Sequence, residues 1–254
     1  MTTAVCVIGK KGSKAVTQIV QNTGLTRFSR MADVVVNYGL AGDRLQQFAA
    51  KHPGINKKPM LNKYNGCGKY KAIQDAEVAG IAVPVTKLSL SKADNPSEFL
   101  TKRNHSQGGV GIKVATTRSP LNGCYYQKFA SNRKFELRVH GFLWTDQKSW
   151  LIQKRLGDKN QIAWNFQQGG HFQSIRRPND YKVFTDAKAV TERILKMRHM
   201  AFGAVDFIVT LDNQLLFLEV NSAPGFTDLS RPAYVEAFSV LTTAPKTKII
   251  ALCD

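Results

Sequence analysis

Acidic residues are scarce in this chain of 254: eighteen aspartates and glutamates stand against 36 lysines and arginines, a formal charge of +18. That balance excludes simple attraction to basic partners and favours an anion, whether nucleic acid, acidic peptide, membrane lipid or nucleotide. Cysteine is scarce too. The four, at positions 6, 67, 124 and 253, lie far apart, which excludes a CxxC zinc pair and a dense disulfide framework and makes a reducing compartment the expectation. No run reaches 18 apolar residues, and MTTAVCVIGKKGSK turns polar within ten, so neither a membrane span nor a secretory leader is expected. There is no internal repeat and no low-complexity tract. What is present is 43% hydrophobic, enough for a core in one large domain or a few small lobes, and a soluble cytoplasmic protein is expected.

The hydrophobic pattern divides the chain into three. Residues 1–60 read as a short N-terminal α/β domain: an apolar run from Ala4 to Ile8, a helix in AVTQIVQNTG and a second strand in DVVVNY form a small parallel unit. Its Gly9–Lys14 turn matches neither a P-loop nor a dinucleotide fingerprint. Residues 61–123 read as a central lid lobe, with a helix over Lys69 to Ala79 stopped by Gly80, then strands at Phe99–Lys102 and Ile112–Thr116 flanking the glycine loop HSQGGVG. A glycine-rich hairpin can lay backbone N–H groups over phosphates as a flap. Residues 124–254 read as a mostly antiparallel sheet, in the runs CYYQKFA, FELRVHGFLW, SWLIQKRL and QIAWNF. A helix over Asp186–Phe202 follows, with Ala189, Ile194, Met197 and Met200 as its buried stripe. Two further strands, AVDFIV and LLFLEV, and a last helix at Arg231–Val240 complete the reading.

Three sets of residues can carry chemistry. Asp206 and Glu219 sit in strands otherwise built for burial, and Asn221 lies two positions beyond Glu219 on the same side. Buried carboxylates this close need a neutralising cation, and hard oxygen ligands suit magnesium. The plainer alternative puts both acids at strand edges, paired with lysines in solvent. A second set is Lys69, Lys102 and Gln107 to Gly111: mobile charges beside glycines that allow close backbone approach. The third is Arg138, Lys154, Arg155, Asn165 and the pair Gly169-Gly170, able to meet growing charge in a cleft. A rival account makes this a nucleic-acid-binding module, its basic face tracking backbone phosphates while Tyr125, Tyr126, Trp150, Trp164 and Phe166 stack bases. Five histidines, His105 and His140 among them, suggest structural roles before a general base.

From about Asn62 to Asp228 the sequence resembles the ATP-grasp carboxylate–amine ligases, most closely the branch whose enzyme adds glutamate to the C-terminus of a ribosomal protein. FGAVDFIVTLDNQLLFLEVNSAPGF is similar to that family's paired metal strands and the Asn-Ser-x-Pro-Gly turn after them. YYQKFASNRKFELRVHGF resembles its hinge segment and following strand, and QKRLGDKNQIAWNFQQGG the segment whose arginine and asparagine face the reacting centre. The resemblance implies an ATP-grasp fold of α+β lobes. It implies magnesium on Asp206, Glu219 and Asn221, and ATP held by Lys69, Lys102, Gly108, Gly109, Gly111, Gln127, Lys128 and Phe129. Arg138, Arg155 and Asn165 would act at the transferring phosphate. Lys128 departs from the family's usual acidic hinge residue, and Arg103 from the proline expected after Lys102. The implied function is an ADP-forming ligase joining a carboxylate to an amine through an acylphosphate, on a small-molecule or acidic peptide substrate, with polyanion contact along the basic surface. A catalytically inactive, nucleotide-sensing scaffold is the further alternative.

Overall fold

The computed structural model describes residues 3–63, 68–106, 109–158, 161–162, 164, 169–175 and 177–253. Four short strands open the chain: β1 (Val5–Gly9), β2 (Thr26–Arg27), β3 (Val34–Tyr38) and β4 (Met60–Leu61), paired in parallel in the order β2-β1-β3-β4. Helix α1 (Lys14–Asn22) starts where the Ser13 side chain accepts the Val16 N–H. Helix α2 (Asp43–Lys51) lies between β3 and β4. Alternate strand residues feed two cores. Val5, Val7, Val34 and Val36 pack with α1, whereas Cys6, Ile8 and Val35 pack toward Leu45 and Phe48 of α2. Parallel strands covered on both faces explain why these runs are apolar throughout.

Helix α3 (Lys69–Val78) ends before Gly80, whose φ of 71° provides the left-handed exit. A second sheet follows, antiparallel, in the order β5-β8-β6-β7, from β5 (Thr86–Lys87), β6 (Phe99–Arg103), β7 (Lys113–Val114) and β8 (Cys124–Lys128). Strand β8 pairs into this middle sheet, whereas the sequence reading assigned residues from 124 onward to the last lobe. The glycine loop joins β6 to β7 as a strand-loop-strand hairpin.

The large sheet is antiparallel throughout, in the order β11-β10-β9-β12-β13. Its strands are β9 (Arg133–Phe142), β10 (Leu151–Leu156), β11 (His171–Ser174), β12 (Phe202–Thr210) and β13 (Leu215–Asn221). Helix α4 (Lys182–Met197) crosses between β11 and β12, with α5 (Arg231–Thr243) and α6 (Lys246–Ile250) closing the chain. Helix α4 begins four residues earlier than the sequence reading has it, and Phe202 belongs to a strand. Its buried face is Ala187, Lys188, Thr191, Ile194 and Leu195; of the expected stripe Ile194 and Met200 are buried and Met197 is part-buried, whereas Ala189 is exposed. Of the expected QIAWNF strand, the described residues Gln161, Ile162 and Trp164 are not in a strand.

Two polar residues fasten the first sheet to the last. The Tyr38 hydroxyl donates to the Pro224 carbonyl at 2.7 Å, and the Asn62 side chain binds the backbone of both Ala201 and Phe202. The aromatic core of Tyr38, Phe142, Trp144, Phe202, Tyr234 and Phe238 surrounds the first of these contacts.

Candidate active site

A cleft opens between the middle sheet and one face of the large sheet. Among the described residues lining it are six cations, Lys69, Lys102, Arg103, Lys128, Arg133 and Arg155, and three carboxylates, Glu136, Asp206 and Glu219. Its apolar surface comes from Leu100, Ile112, Phe129, Trp164, Ile208 and Leu218.

Strand register builds the acidic end. Asp206 of β12 stands opposite Glu219 of β13 on one side and Arg138 of β9 on the other, while Glu136 stands opposite Arg155 of β10. Directly paired positions share a face, so these charges meet. Arg138 grips Asp206 with two bonds, Nε to Oδ1 at 2.6 Å and Nη2 to Oδ2 at 2.7 Å, and Arg155 Nη2 adds a third at 3.1 Å. Burial opposes the charge on Asp206, but the two guanidiniums outweigh it and hold its carboxyl well below the usual range. Glu219 is less enclosed and takes the Lys69 ammonium at 2.6 Å. Asn221 Nδ2 reaches Glu219 Oε1 at 3.4 Å. The local cations are therefore side chains: guanidiniums serve Asp206, and a lysine serves Glu219.

The donor set fits a hard cation. Two carboxylates and an amide oxygen leave most of a magnesium shell for water and phosphate. No group of three or more His, Cys, Asp or Glu able to hold a metal occurs among the described residues.

At the other end Lys102 Nζ donates to Gln127 Oε1 at 2.5 Å, and Gln127 in turn donates to the Thr86 hydroxyl. Burial pushes Lys102 down to about 8, with Glu219 opposing that fall and Lys69 adding to it. Lys128 pairs outward with Glu98 at 3.1 Å. Gly109 and Gly111, at φ of 71° and 81°, give the loop its left-handed turns.

Of the residues singled out in sequence, Lys69, Lys102, Gly109, Gln127, Lys128, Phe129, Arg155, Asp206 and Glu219 line the cleft. Arg138, Gly111 and Asn221 are not among the described lining residues; Arg138 reaches the cleft through Asp206. Gln107, Gly108, Asn165 and Phe166 lie outside the described residues. Lys154 points to the opposite face, its ammonium 4.6 Å from the centre of the Phe135 ring, as its place next to Arg155 on a strand requires. Of the proposed base-stacking aromatics, Tyr126 and Trp150 are buried in the cores, whereas Tyr125 and Trp164, also largely buried, reach the cleft lining, where Arg133 lies over the Trp164 ring. His140 is enclosed between the Tyr234 hydroxyl and Gln153, and burial with the nearby Arg138 lowers it to about 4, so it stays neutral and structural. Sequence reasoning passed over Arg133, which carries no motif of its own. It pairs with Glu136 at 2.8 Å and lies 3.8 Å from the centre of the Trp164 ring.

The family described as D-ala D-ala ligase C-terminus matches residues 177–241, the stretch holding α4, β12, β13 and most of α5. No curated protein matches the chain. Among solved structures, macrocyclase MdnC bound with precursor peptide MdnA from Microcystis aeruginosa MRC is 13% identical with a TM-score of 0.57, over 94% of this chain and 98% of its own. ATP-grasp ligase PsnB, complexed with a phosphomimetic variant of its minimal precursor, Mg and ADP, is 12% identical at a TM-score of 0.60, over 99% of each chain. The D-alanine-D-alanine ligase from Coxiella burnetii is 17% identical at 0.56, over 89% of this chain and 68% of that one. The likeness establishes the fold as that of the ATP-grasp ligases. No helix among the described residues is long and apolar enough to cross a membrane.

Proposed function

We propose that this chain is an ATP-dependent, ADP-forming ligase that joins a carboxylate to an amine. The observation that carries the reading is the register of Asp206 opposite Glu219 at the head of a cleft that six lysine and arginine side chains also line. That pattern suits a polyphosphate brought in with a divalent cation, and phosphoryl transfer asks for positioning and charge neutralisation before any side-chain nucleophile.

In this reading Lys69 and Lys102 meet the nucleotide phosphates, the loop around Gly109 and Gly111 covers them, and Gln127 to Phe129 border the base. Asp206, Glu219 and Asn221 would hold magnesium, which would supply neutralisation of phosphate charge. A substrate carboxylate oxygen attacks the γ-phosphorus as the bond to ADP breaks. The amine nitrogen then attacks the acyl carbon of the acylphosphate, phosphate leaves, and an amide remains. Arg155 faces the charge that grows on the transferring group; Arg138 acts through Asp206, whose orientation it fixes. Asn165 is assigned to the same centre by resemblance.

An acidic peptide or amino acid is the proposed substrate, because a +18 chain concentrates anions at its surface. A peptide substrate is in keeping with the precursor peptide bound by MdnC and the minimal precursor bound by PsnB, and with the ribosomal-protein glutamate ligase branch that the sequence resembles. A cytoplasmic setting, where ATP is abundant, belongs to the same proposal.

The experiment is incubation with magnesium ATP and a library of amino acids and acidic peptides, read by mass spectrometry for one new amide and by ADP release. ADP formed only when both carboxylate and amine are present is the expected result. Magnesium-ATP protection against heat with no product from any pair would favour a nucleotide sensor, and no protection at all would overturn both readings.

A further inference from the structure

Five charged side chains form an alternating run across the face of the large sheet: Arg133, Glu136, Arg155, Asp206 and Arg138. Glu136, at its second place, divides its carboxylate between two guanidiniums. Oε1 accepts from Arg133 Nη1 at 2.8 Å, and Oε2 accepts from Arg155 Nη1 at 2.8 Å. The residue is 4% exposed, so this pairing is scarcely screened by water.

The two arginines stand in different parts of the cleft. Arg133 lies over the Trp164 ring, with Phe129 of the hinge 5.8 Å from its guanidinium, and donates to the carbonyls of Gln161 and Ile162. Arg155 shares Asp206 with Arg138, at the acidic end. Arg155 Nε is buried and has no hydrogen-bond partner among the described residues. A buried N–H left unpaired is costly, and this one belongs to a side chain that lines the cleft.

We infer that Glu136 is a positioning residue that fixes both guanidiniums at once, coupling the hinge end of the nucleotide site to its phosphate end. The inference rests on the nucleotide reading proposed above. A carboxylate is needed because each of its oxygens accepts; the amide of a glutamine would present an N–H to one of the two arginines. Held in this way, Arg155 meets an incoming phosphate oxygen without first being ordered.

The test needs no acceptor substrate. Calorimetric affinities for magnesium-ADP and for magnesium β,γ-imido-ATP give a triphosphate preference for each variant. Arg155→Gln should cut the preference about tenfold without removing it, and Arg133→Met should weaken both nucleotides while keeping it. Glu136→Gln should do both, about tenfold in each effect. Glu136→Gln combined with Arg155→Gln should show no further loss of preference, because Glu136 acts through Arg155; additive losses would make Glu136 merely structural and overturn the proposal.

Glu136→Gln alone leaves a buried positive excess and can fail to fold. The charge-neutral pair Arg133→Met with Glu136→Gln keeps the test open, since it removes one charge of each sign and takes from Arg155 its bond to Glu136 while the bond to Asp206 remains. A cut in the triphosphate preference of this folded pair supports the proposal, and the wild-type preference overturns it. Failure of the unmodified protein to bind either nucleotide would instead remove the nucleotide reading, and this inference with it.

Discussion

Asp206 and Glu219 face each other across β12 and β13, yet different cations neutralise them: two guanidiniums hold the buried Asp206, and a single lysine holds the more open Glu219. The first arrangement is rigid and the second exchangeable, because an ammonium on a flexible stem at a partly exposed site is readily replaced.

Glu219→Ala should therefore leave the fold intact and remove the magnesium-dependent part of ATP binding. Thermal shifts with and without magnesium ATP check this. An unchanged melting temperature for the free protein with loss of the ligand-induced shift is expected, and full ligand protection would remove Glu219 from the cation site.

Asp206→Asn should behave differently. It deprives Arg138 and Arg155 of their shared carboxylate inside the protein, and breaking a buried ion pair of this kind costs about 3–5 kcal/mol. Urea unfolding should show a fall of that size. A change under about 0.5 kcal/mol, the level of an ordinary surface substitution, would mean the arginines are not held as described.

Nucleotide affinity should depend on pH through Lys102. Its free-state value of about 8 means that the ammonium is present below pH 8 and lost above it, and a phosphate binds the ammonium alone. Affinity for magnesium-ADP should be full below pH 8 and fall above it by about tenfold per unit, until the raised value of the bound lysine is passed. Lys102→Met should flatten the profile. A flat wild-type profile between pH 7 and 9.5 would take Lys102 out of the phosphate site.

Gly39 tests the seam between the first sheet and the turn after β13. Its φ is 84°, and a Cβ built there would lie 2.4 Å from the Ala223 Cβ. Gly39→Ala should cost about 1–3 kcal/mol through overpacking and an unfavourable backbone angle, read as a lower urea midpoint with the same slope. Ala223 is two residues beyond Asn221, so the same variant should also weaken magnesium-dependent nucleotide binding.

If the substrate is acidic, salt should raise the apparent KM more than it lowers kcat, because screening acts on encounter before it reaches a closed site. Steady-state kinetics at low and high salt decide it, and an equal KM in both would count against an acidic substrate.

Much of this was legible from local pattern. Apolar alternation and turn residues marked β12, β13, β6 and the first strand-helix-strand unit, since side-chain period and chain reversal are properties of neighbouring residues. Two-residue periodicity also puts Glu136 and Arg138 on one face, whereas Lys154, grouped with Arg155 in the sequence, lies on the opposite face. Helix α2 escaped because none of its residues is fully buried, so its helical period is carried by half-exposed positions that read as polar sequence.

The amino-acid order by itself marked the apolar strands that carry the candidate carboxylates, which of those carboxylates lie among apolar neighbours, and how basic the chain is. Tertiary structure alone decided who meets whom. Asp206 is neutralised by arginines 68 and 51 residues away, and Glu219 by a lysine from the start of α3. Such pairings depend on sheet order and register, which are set by the packing of whole strands and helices rather than by any segment's own preference. For the same reason Arg133, unremarkable in the sequence, becomes a wall of the cleft only once β9 lies beside β10 and β12.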